Sequence, residues 1–384
     1  MEIEWCDLDL TSESRPPTHK YTYFATALMP FDLTTRDGVR MYLTAYLALD
    51  VMSVERLSGG YCNFSWRAKL ESPYEGQISI VVKHAAPFTS WDRNTELGVE
   101  RLAFEYKALK ILNSEPSVIA KNSLVAVPAV YHYDPTANAL IMQDVGSIPT
   151  LHALLRNNAL PPVPMAEKIS NELAAFIAGI HNWGRNNQEA RANLSQNLVG
   201  RTAIRKLCYE TLVPKAEKSG VDDPLLQQVA AALSEEVMNS EETLVMGDFW
   251  TANVMVDIQE TGAGVRSLRK IWVIDWEGCR YGSPAADIAS FAGDSYLVAR
   301  FHHHDLGETL RHSFLETYAG LAKVDPFRVA LGSGAHWIMW TDDLSEQEEG
   351  EIRECVDKGV EYIHRAWEQS TKWISLSLAK ELVT

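Results

Sequence analysis

Short apolar runs that end beside acidic or amide side chains constrain the fold of this chain most strongly. Apolar residues precede Asp248, follow Asn253 and precede Asp275, and Glu277 comes two positions after Asp275. Runs of this length separated by polar segments predict strands joined by loops. We therefore expect the four polar side chains to lie at strand ends and to face one cleft.

These four residue types suit phosphoryl transfer, in which a protein aligns a hydroxyl with a phosphate and offsets charge on the phosphate oxygens. We assign Asp248 as the base that accepts the proton of the acceptor hydroxyl, and Asn253 as an amide-oxygen ligand to a metal. Asp275 and Glu277 add the hard oxygen ligands that Mg²⁺ prefers. An ordinary Asp/Asn turn is the alternative for Asp248 and Asn253. The second acidic cluster favours the catalytic interpretation.

A glycine-rich segment upstream fits a phosphate-binding turn. Ser58, Gly59 and Gly60 predict a hairpin turn whose backbone N–H groups can approach phosphate, and Ser58 and Asn63 add polar groups. A plain hairpin turn gives the same Gly-Gly pattern, so the phosphate-binding interpretation depends on the neighbouring motifs.

A lysine at the end of a predicted strand needs an anionic partner. Residues 78–82 are mostly apolar and lead to Lys83, a residue type that is costly to bury unless it is paired. Glu105 lies in a predicted helix and is our first choice of partner; Glu100 is the second. For either acid alone, a solvated helix face is the alternative.

The segment after residues 139–142 fits a hinge between two lobes. This apolar strand stops at Gln143, Asp144 and Val145, followed by Gly146. We expect the main chain of these residues to contact adenine. A strand followed by an ordinary turn would have the same composition.

The order of these features resembles that of the aminoglycoside-phosphotransferase-like kinases, a group that includes choline kinase and methylthioribose kinase. The resemblance extends from about Pro30 onward. It implies an α+β, two-lobed protein-kinase-like fold, with an antiparallel-sheet N-lobe and a mostly helical C-lobe. It also implies ATP and Mg²⁺ as cofactors and a small hydroxylated metabolite as acceptor.

Longer stretches are similar to a fungal branch of that group, the hydroxytryptamine kinases. They lie at residues 31–38, 56–60, 140–146, 220–226, 240–246 and 339–342. This similarity implies a hydroxytryptamine-like amine as acceptor. The alternatives are methylthioribose or another small metabolite, and a catalytically silent nucleotide-binding protein. Many members of the wider group have His in place of Met246, and His or Pro in place of Trp250 or Thr251, which argues against aminoglycosides and choline.

The resemblance divides the chain into four parts. We expect an N-terminal extension at 1–28, an N-lobe with one main helix at 29–142, a hinge at 143–146 and a helical C-lobe at 147–384. Apolar spacing predicts C-lobe helices at residues 166–181, 225–237, 287–301, 310–321 and 329–340.

The last three of these helices, at residues 287–301, 310–321 and 329–340, would form the wall of the acceptor pocket. An indole-ethylamine needs apolar or aromatic walls and an acid for its ammonium group. We assign Trp340 to the wall and Asp294 and Asp342 to the ammonium, with helix caps or core packing as the alternatives. Asp287 is expected to support the catalytic segment from behind.

Composition and net charge limit the classes of partner that we expect for this chain. A formal charge of −16 argues against a nucleic-acid partner and suits a cationic substrate, although solubility alone would also explain it. The five cysteines lack zinc or secreted-domain spacing, which indicates reduced thiols in the cytoplasm. No apolar run approaches membrane-spanning length. We expect a cytoplasmic monomer that binds no membrane.

Overall fold

A computed structural model describes residues 31–119, 123–157, 163–260, 264, 266–341 and 349–383. A five-stranded antiparallel sheet forms the centre of the N-lobe, in the order β1-β2-β3-β6-β5. Its strands are β1 (Val51–Arg56), β2 (Phe64–Tyr74), β3 (Gln77–His84), β5 (Val130–Asp134) and β6 (Ala139–Gln143).

Two helices cover the sheet, one on each face: α1 (Arg36–Leu47) and α2 (Arg101–Ser114). Side chains of a strand alternate between faces, and β6 shows the result. Ala139 and Ile141 belong to the core under α1, whereas Leu140 and Met142 belong to the core under α2. The prediction of one main N-lobe helix was therefore incomplete, because α1 is a second one.

Small sheets hold the polar residues of the catalytic segment. One sheet has the order β10-β7 and the other β4-β9-β8, with β4 parallel to β9. Their strands are β4 (Val125–Ala126), β7 (Thr243–Val245), β8 (Val254–Glu260), β9 (Arg266–Val273) and β10 (Arg280–Gly282). The predicted strand–loop–strand–loop arrangement is confirmed. β7 pairs with β10, so the segment from β7 to β8 is a loop between two sheets.

Helices make up most of the rest of the C-lobe. They are α3 (Leu151–Arg156), α4 (Val163–Gly184), α5 (Gln188–Leu194), α6 (Leu198–Ile204), α7 (Leu212–Lys218), α8 (Pro224–Asn239), α9 (Ala285–Phe301), α10 (His304–Leu321), α11 (Pro326–Trp340), α12 (Glu349–Trp367) and α13 (Thr371–Ile374). A π-helical turn, Arg205–Tyr209, continues α6. The five predicted C-lobe helices are all present, and α9 packs against both α10 and α11.

The predicted fold class is confirmed, since an antiparallel-sheet lobe precedes a helical lobe. Within the described ranges, no helix combines the length and the apolar composition that a membrane span requires.

Candidate active site

The loop between β7 and β8 presents Asp248 to the cleft. Gly247 has a φ of +86°, and a Cβ at this position would lie 2.1 Å from Arg280 Nη1 and 2.4 Å from Gly278 O. Only glycine fits there. Asn253 donates from Nδ2 to the carbonyl oxygen of Asp248 at 2.9 Å and to its Oδ2 at 2.8 Å. The amide oxygen of Asn253 thus remains for a cation, as its predicted role requires.

Asp248 is exposed to the cleft but surrounded by protein on its other sides. The surrounding protein removes Asp248 from water and raises the pKa of its carboxyl group to about 7. The carboxylate of Asp275 adds to this shift, whereas the hydrogen bond from Asn253 opposes it. A base with a pKa near neutral accepts a proton efficiently. A cation at the neighbouring acids would favour the ionised form.

Two buried carboxylates fix the loop from behind. Asp287 accepts hydrogen bonds from the backbone N–H groups of Met246 (2.9 Å) and Gly247 (2.8 Å), which is the supporting role expected of it. Asp294 accepts hydrogen bonds from the backbone N–H (3.2 Å) and the hydroxyl of Thr251. The structure therefore places Asp294 against the loop and not in the wall of the acceptor pocket.

The ammonium of Lys83 lies among three carboxylates. Lys83 Nζ is 2.6 Å from Glu105 Oε2 and 2.7 Å from Asp275 Oδ1. One carboxylate oxygen from each of Glu105, Asp275 and Glu277 lies within 4.8 Å of the other two. Burial lowers the pKa of Lys83, but the three carboxylates outweigh it and raise the pKa above its ordinary value. Lys83 therefore stays charged, with Glu105 as its N-lobe partner.

Asp275 follows β9 with a φ of +66°, a left-handed conformation that is uncommon outside glycine and recurs at functional sites. The structure brings Asp248, Asn253, Asp275, Glu277 and Lys83 to one cleft between the lobes, as the sequence predicts.

The glycine-rich turn lies between β1 and β2, and Gly59 has a φ of +96° with open space beside it. Ser58 and Gly60 flank it in the same turn. Asn63 differs from the prediction, because its side chain is buried and hydrogen-bonded to protein groups. It donates to Glu277 Oε2 and accepts from Arg101 Nε at 3.0 Å. Asn63 thus ties the turn to the C-lobe acid.

Arg101 anchors this turn, a role that was not predicted from the sequence. The side chain is 2% exposed and donates to the carbonyl oxygens of Cys62 (3.2 Å), Ala86 (3.2 Å), Leu97 (3.0 Å) and Gly98 (2.6 Å). A cation in the first turn of α2 opposes the helix dipole, which is the sequence signal that was available.

The predicted hinge is bound largely through side chains. Asp144 accepts from Arg67 Nε (2.7 Å) and Nη2 (2.9 Å) and from Ser79 Oγ (2.6 Å). The backbone N–H of Gln143 donates to Ala129 O at 2.8 Å. Contact between adenine and this main chain stays a prediction, now centred on Asp144 and Val145.

A pocket beside Asp248 extends between α8, α9 and α11. Trp250 and Trp340 stack in its wall with ring centroids 5.8 Å apart. Burial lowers the pKa of His336, in the same wall, to about 4, so its imidazole is neutral near pH 7. Trp340 thus lies where it was expected, while Asp342 lies outside the described residues. Other lining residues include Cys208, Tyr209, Leu233, Glu236, Ser283 and Met339.

Comparisons with known proteins agree with this geometry. The family model described as "Phosphotransferase enzyme family" (APH) matches residues 57–327. The 4-hydroxytryptamine kinase of Psilocybe cyanescens is 44% identical over 351 residues, which cover 89% of this chain and 96% of that protein. The 4-hydroxytryptamine kinase of Psilocybe cubensis is 42% identical over 347 residues, covering 88% and 94%.

A third relative is more distant. Phosphotransferase FrzJ of Cladobotryum sp. is 25% identical over 304 residues, which cover 73% of this chain and 79% of that protein. The resemblance to aminoglycoside-phosphotransferase-like kinases, and to their fungal hydroxytryptamine-kinase branch, is confirmed. The chain belongs to the APH phosphotransferase enzyme family and is an enzyme that transfers phosphate.

Proposed function

We propose that the protein transfers the γ-phosphate of ATP, with Mg²⁺, to the hydroxyl of a hydroxytryptamine such as 4-hydroxytryptamine. The observation that carries this proposal is the stacked pair Trp250 and Trp340 in the pocket beside Asp248. The two Psilocybe relatives are named for the same acceptor. An indole ring and two indole side chains offer the flat apolar surfaces that stack favourably.

The donor side is consistent with a magnesium–nucleotide complex. Asn253, Asp275 and Glu277 offer only oxygen ligands, the set that Mg²⁺ prefers, so they would hold the metal. When bound, Mg²⁺–ATP supplies the transferable phosphoryl group and neutralises part of its charge. Lys83 would contact the donor's phosphates, since its ammonium is charged and buried at the cleft.

Asp248 would orient the acceptor hydroxyl and take up its proton as phosphate is transferred. Asn253 holds the Asp248 carboxylate in place through the 2.8 Å hydrogen bond. Asp287 fixes the backbone at Met246 and Gly247, so the base is held from two sides. Preorganisation of this kind removes the entropic cost of aligning the reacting groups.

The composition of the acceptor pocket distinguishes the candidate acceptors. A sugar such as methylthioribose needs many hydrogen-bonding groups, whereas this wall combines Trp250, Trp340, Tyr209 and Met339 with several alanines. An aromatic acceptor is therefore favoured over a sugar. A catalytically silent protein is disfavoured, because the residues required for transfer are present and assembled.

We further propose that residues 29–142 and 147–384 act as the two lobes around ATP, with 143–146 between them. The enzyme would work as a cytoplasmic monomer on a small molecule. Its net charge of −16 suits an ammonium-bearing substrate better than a nucleic acid.

An acceptor panel tests the proposal. Purified protein with ATP and Mg²⁺ is incubated with 4-hydroxytryptamine, methylthioribose, choline and an aminoglycoside, and products are detected by mass. We expect phosphorylated 4-hydroxytryptamine to form with the highest kcat/KM. Faster turnover of methylthioribose, or no turnover of 4-hydroxytryptamine, would refute the assignment. Asp248→Asn serves as the control for contaminating kinases.

A further inference from the structure

Glu236, on α8, is a carboxylate in the wall of the acceptor pocket. Among the described lining residues, the only other acid is Asp248, which is assigned to the acceptor hydroxyl. The Glu236 side chain is 24% exposed, so it is partly removed from water. A positive group of a ligand would therefore interact with it more strongly than with a fully solvated acid.

The charges around Glu236 leave a net negative charge. Arg328 Nη2 lies 3.2 Å from Glu236 Oε1, while Arg328 Nη1 pairs with Glu242 Oε1. One guanidinium thus serves two carboxylates. The other lining cation, Arg280, lies beside the catalytic loop, where its Nη1 donates to Gly278 O at 3.1 Å. A cationic ligand group at Glu236 would balance the remaining charge.

Glu236 and the stacked indoles of Trp250 and Trp340 lie in different parts of the same pocket. Gly247, beside the base, is bound by Asp287 in the first turn of α9, and Ala289 on the next turn contacts Gly332 of α11. Arg328, which pairs with Glu236, lies one turn before Gly332 on α11. From Gly332, the stacked pair Trp250 and Trp340 lies in the opposite direction, because Trp340 is the C-terminal residue of α11.

A second observation indicates a polar ligand in this pocket. Ser283 lines the wall and is 4% exposed, and its hydroxyl has no hydrogen-bond partner among the described residues. A buried polar atom without a partner is unfavourable, so such atoms mark places where a bound molecule completes the hydrogen bonds.

From these contacts we propose that Glu236 binds the ammonium group of the acceptor and makes the enzyme selective for amines. This inference rests on the proposed function. It replaces Asp294 in that role, because Asp294 is buried against Thr251. Tyr209, supplied by the π-helical turn that packs on α8, adds an aromatic face for the same cation.

The test compares two acceptors that differ by the ammonium group. Glu236→Gln keeps the shape of the side chain and removes its charge. For 4-hydroxytryptamine we expect KM to rise about tenfold with little change in kcat, as loss of one ion pair predicts. For 4-hydroxyindole, which has the ring and hydroxyl but no amine, KM should change less than about twofold.

Glu242→Gln is the matched control, since Glu242 pairs with the same Arg328 but does not line the pocket. It should leave both KM values within about twofold. The inference fails if Glu236→Gln leaves KM for 4-hydroxytryptamine unchanged or raises KM for both acceptors by the same factor. It also fails if Glu242→Gln raises KM for the amine as Glu236→Gln does. An unchanged KM for ATP shows that the variant has folded.

Binding without turnover separates this inference from the proposed function. Calorimetry of tryptamine and of indole needs no acceptor hydroxyl. Tryptamine should bind about tenfold more weakly to Glu236→Gln than to the wild type, and indole equally to both. If the wild type does not phosphorylate 4-hydroxytryptamine but this difference appears, the amine site stands and the proposed reaction fails. If turnover occurs and the difference is missing, only the amine site fails.

Discussion

Lys83 Nζ lies 2.7 Å from Asp275 Oδ1, a contact that joins β3 of the N-lobe to the loop after β9 in the C-lobe. Glu105 holds the same ammonium from the helix side at 2.6 Å. One cation therefore neutralises a cluster of acids that would otherwise repel one another. The cluster therefore connects the two lobes at the cleft.

Lys83→Met should reduce stability more than Glu105→Gln. The first change leaves the buried Glu105 and the partly exposed Asp275 without their cation, which we expect to cost about 3 kcal/mol or more. The second leaves Lys83 paired with Asp275, so its cost should be smaller. Urea unfolding at pH 7 without nucleotide measures both, with the exposed Lys110→Met as control. Equal losses would show that the cluster does not depend on its cation.

Asp248 and Asp275 should be separable by kinetics and binding. Asp248→Asn removes the base but no assigned metal ligand, so kcat should fall about 10²–10⁴-fold while ATP binds normally. Asp275→Asn should weaken the binding of ATP in the presence of Mg²⁺. Turnover and nucleotide calorimetry on each variant make the comparison. Unchanged turnover in Asp248→Asn would remove it from the mechanism.

The residues assigned to catalysis were identifiable from the sequence because local patterns indicate them. Asp248, Asn253 and Asp275 each adjoin an apolar strand, and a side chain at the end of a strand has few directions open to it. Lys83 was identifiable because a lysine that ends a buried strand requires an acid. Its pairing with Glu105 follows from the helix that covers the sheet.

Residues that depend on long-range packing were not predictable. Glu236 has the sequence appearance of a solvated helix position, and only the approach of α11 places it in a pocket. Tyr209 enters the wall through a π-helical turn, for which apolar periodicity gives no signal. Asp144 was identified as part of a hinge, but its side-chain partners Arg67 and Ser79 come from β2 and β3, which are far from it in sequence.

Arg101→Lys should loosen the glycine-rich turn. A lysine keeps the charge but cannot reach several carbonyl oxygens at once, as the guanidinium does at Cys62 and Gly98. We expect KM for ATP to rise about tenfold and KM for the acceptor to stay within about twofold. Steady-state kinetics with each substrate varied in turn makes the measurement. A rise confined to the acceptor would contradict this role.

Asp294→Ala should impair catalysis without changing amine preference. Thr251 would lose the acceptor of its N–H and hydroxyl, at a cost of about 1–3 kcal/mol, and the loop that carries Asp248 would be less well held. The kcat for 4-hydroxytryptamine and for 4-hydroxyindole should therefore fall together. A loss restricted to the amine would restore Asp294 as the ammonium ligand.

His336 should make the folded state sensitive to acid. Burial lowers the pKa of His336 to about 4, although Asp294 opposes the shift, whereas an unfolded histidine has a pKa near 6.5. Below pH 6.5 His336 binds a proton in the unfolded chain but stays neutral in the folded chain. The free energy of unfolding therefore falls as pH decreases toward 4. Between pH 7 and pH 5 the wild type should lose about 2 kcal/mol more than His336→Asn. Urea unfolding of both proteins at the two pH values measures the difference. Parallel losses would mean that the pKa of His336 in the folded enzyme lies near its unfolded value, so that burial does not keep the ring neutral below pH 6.5.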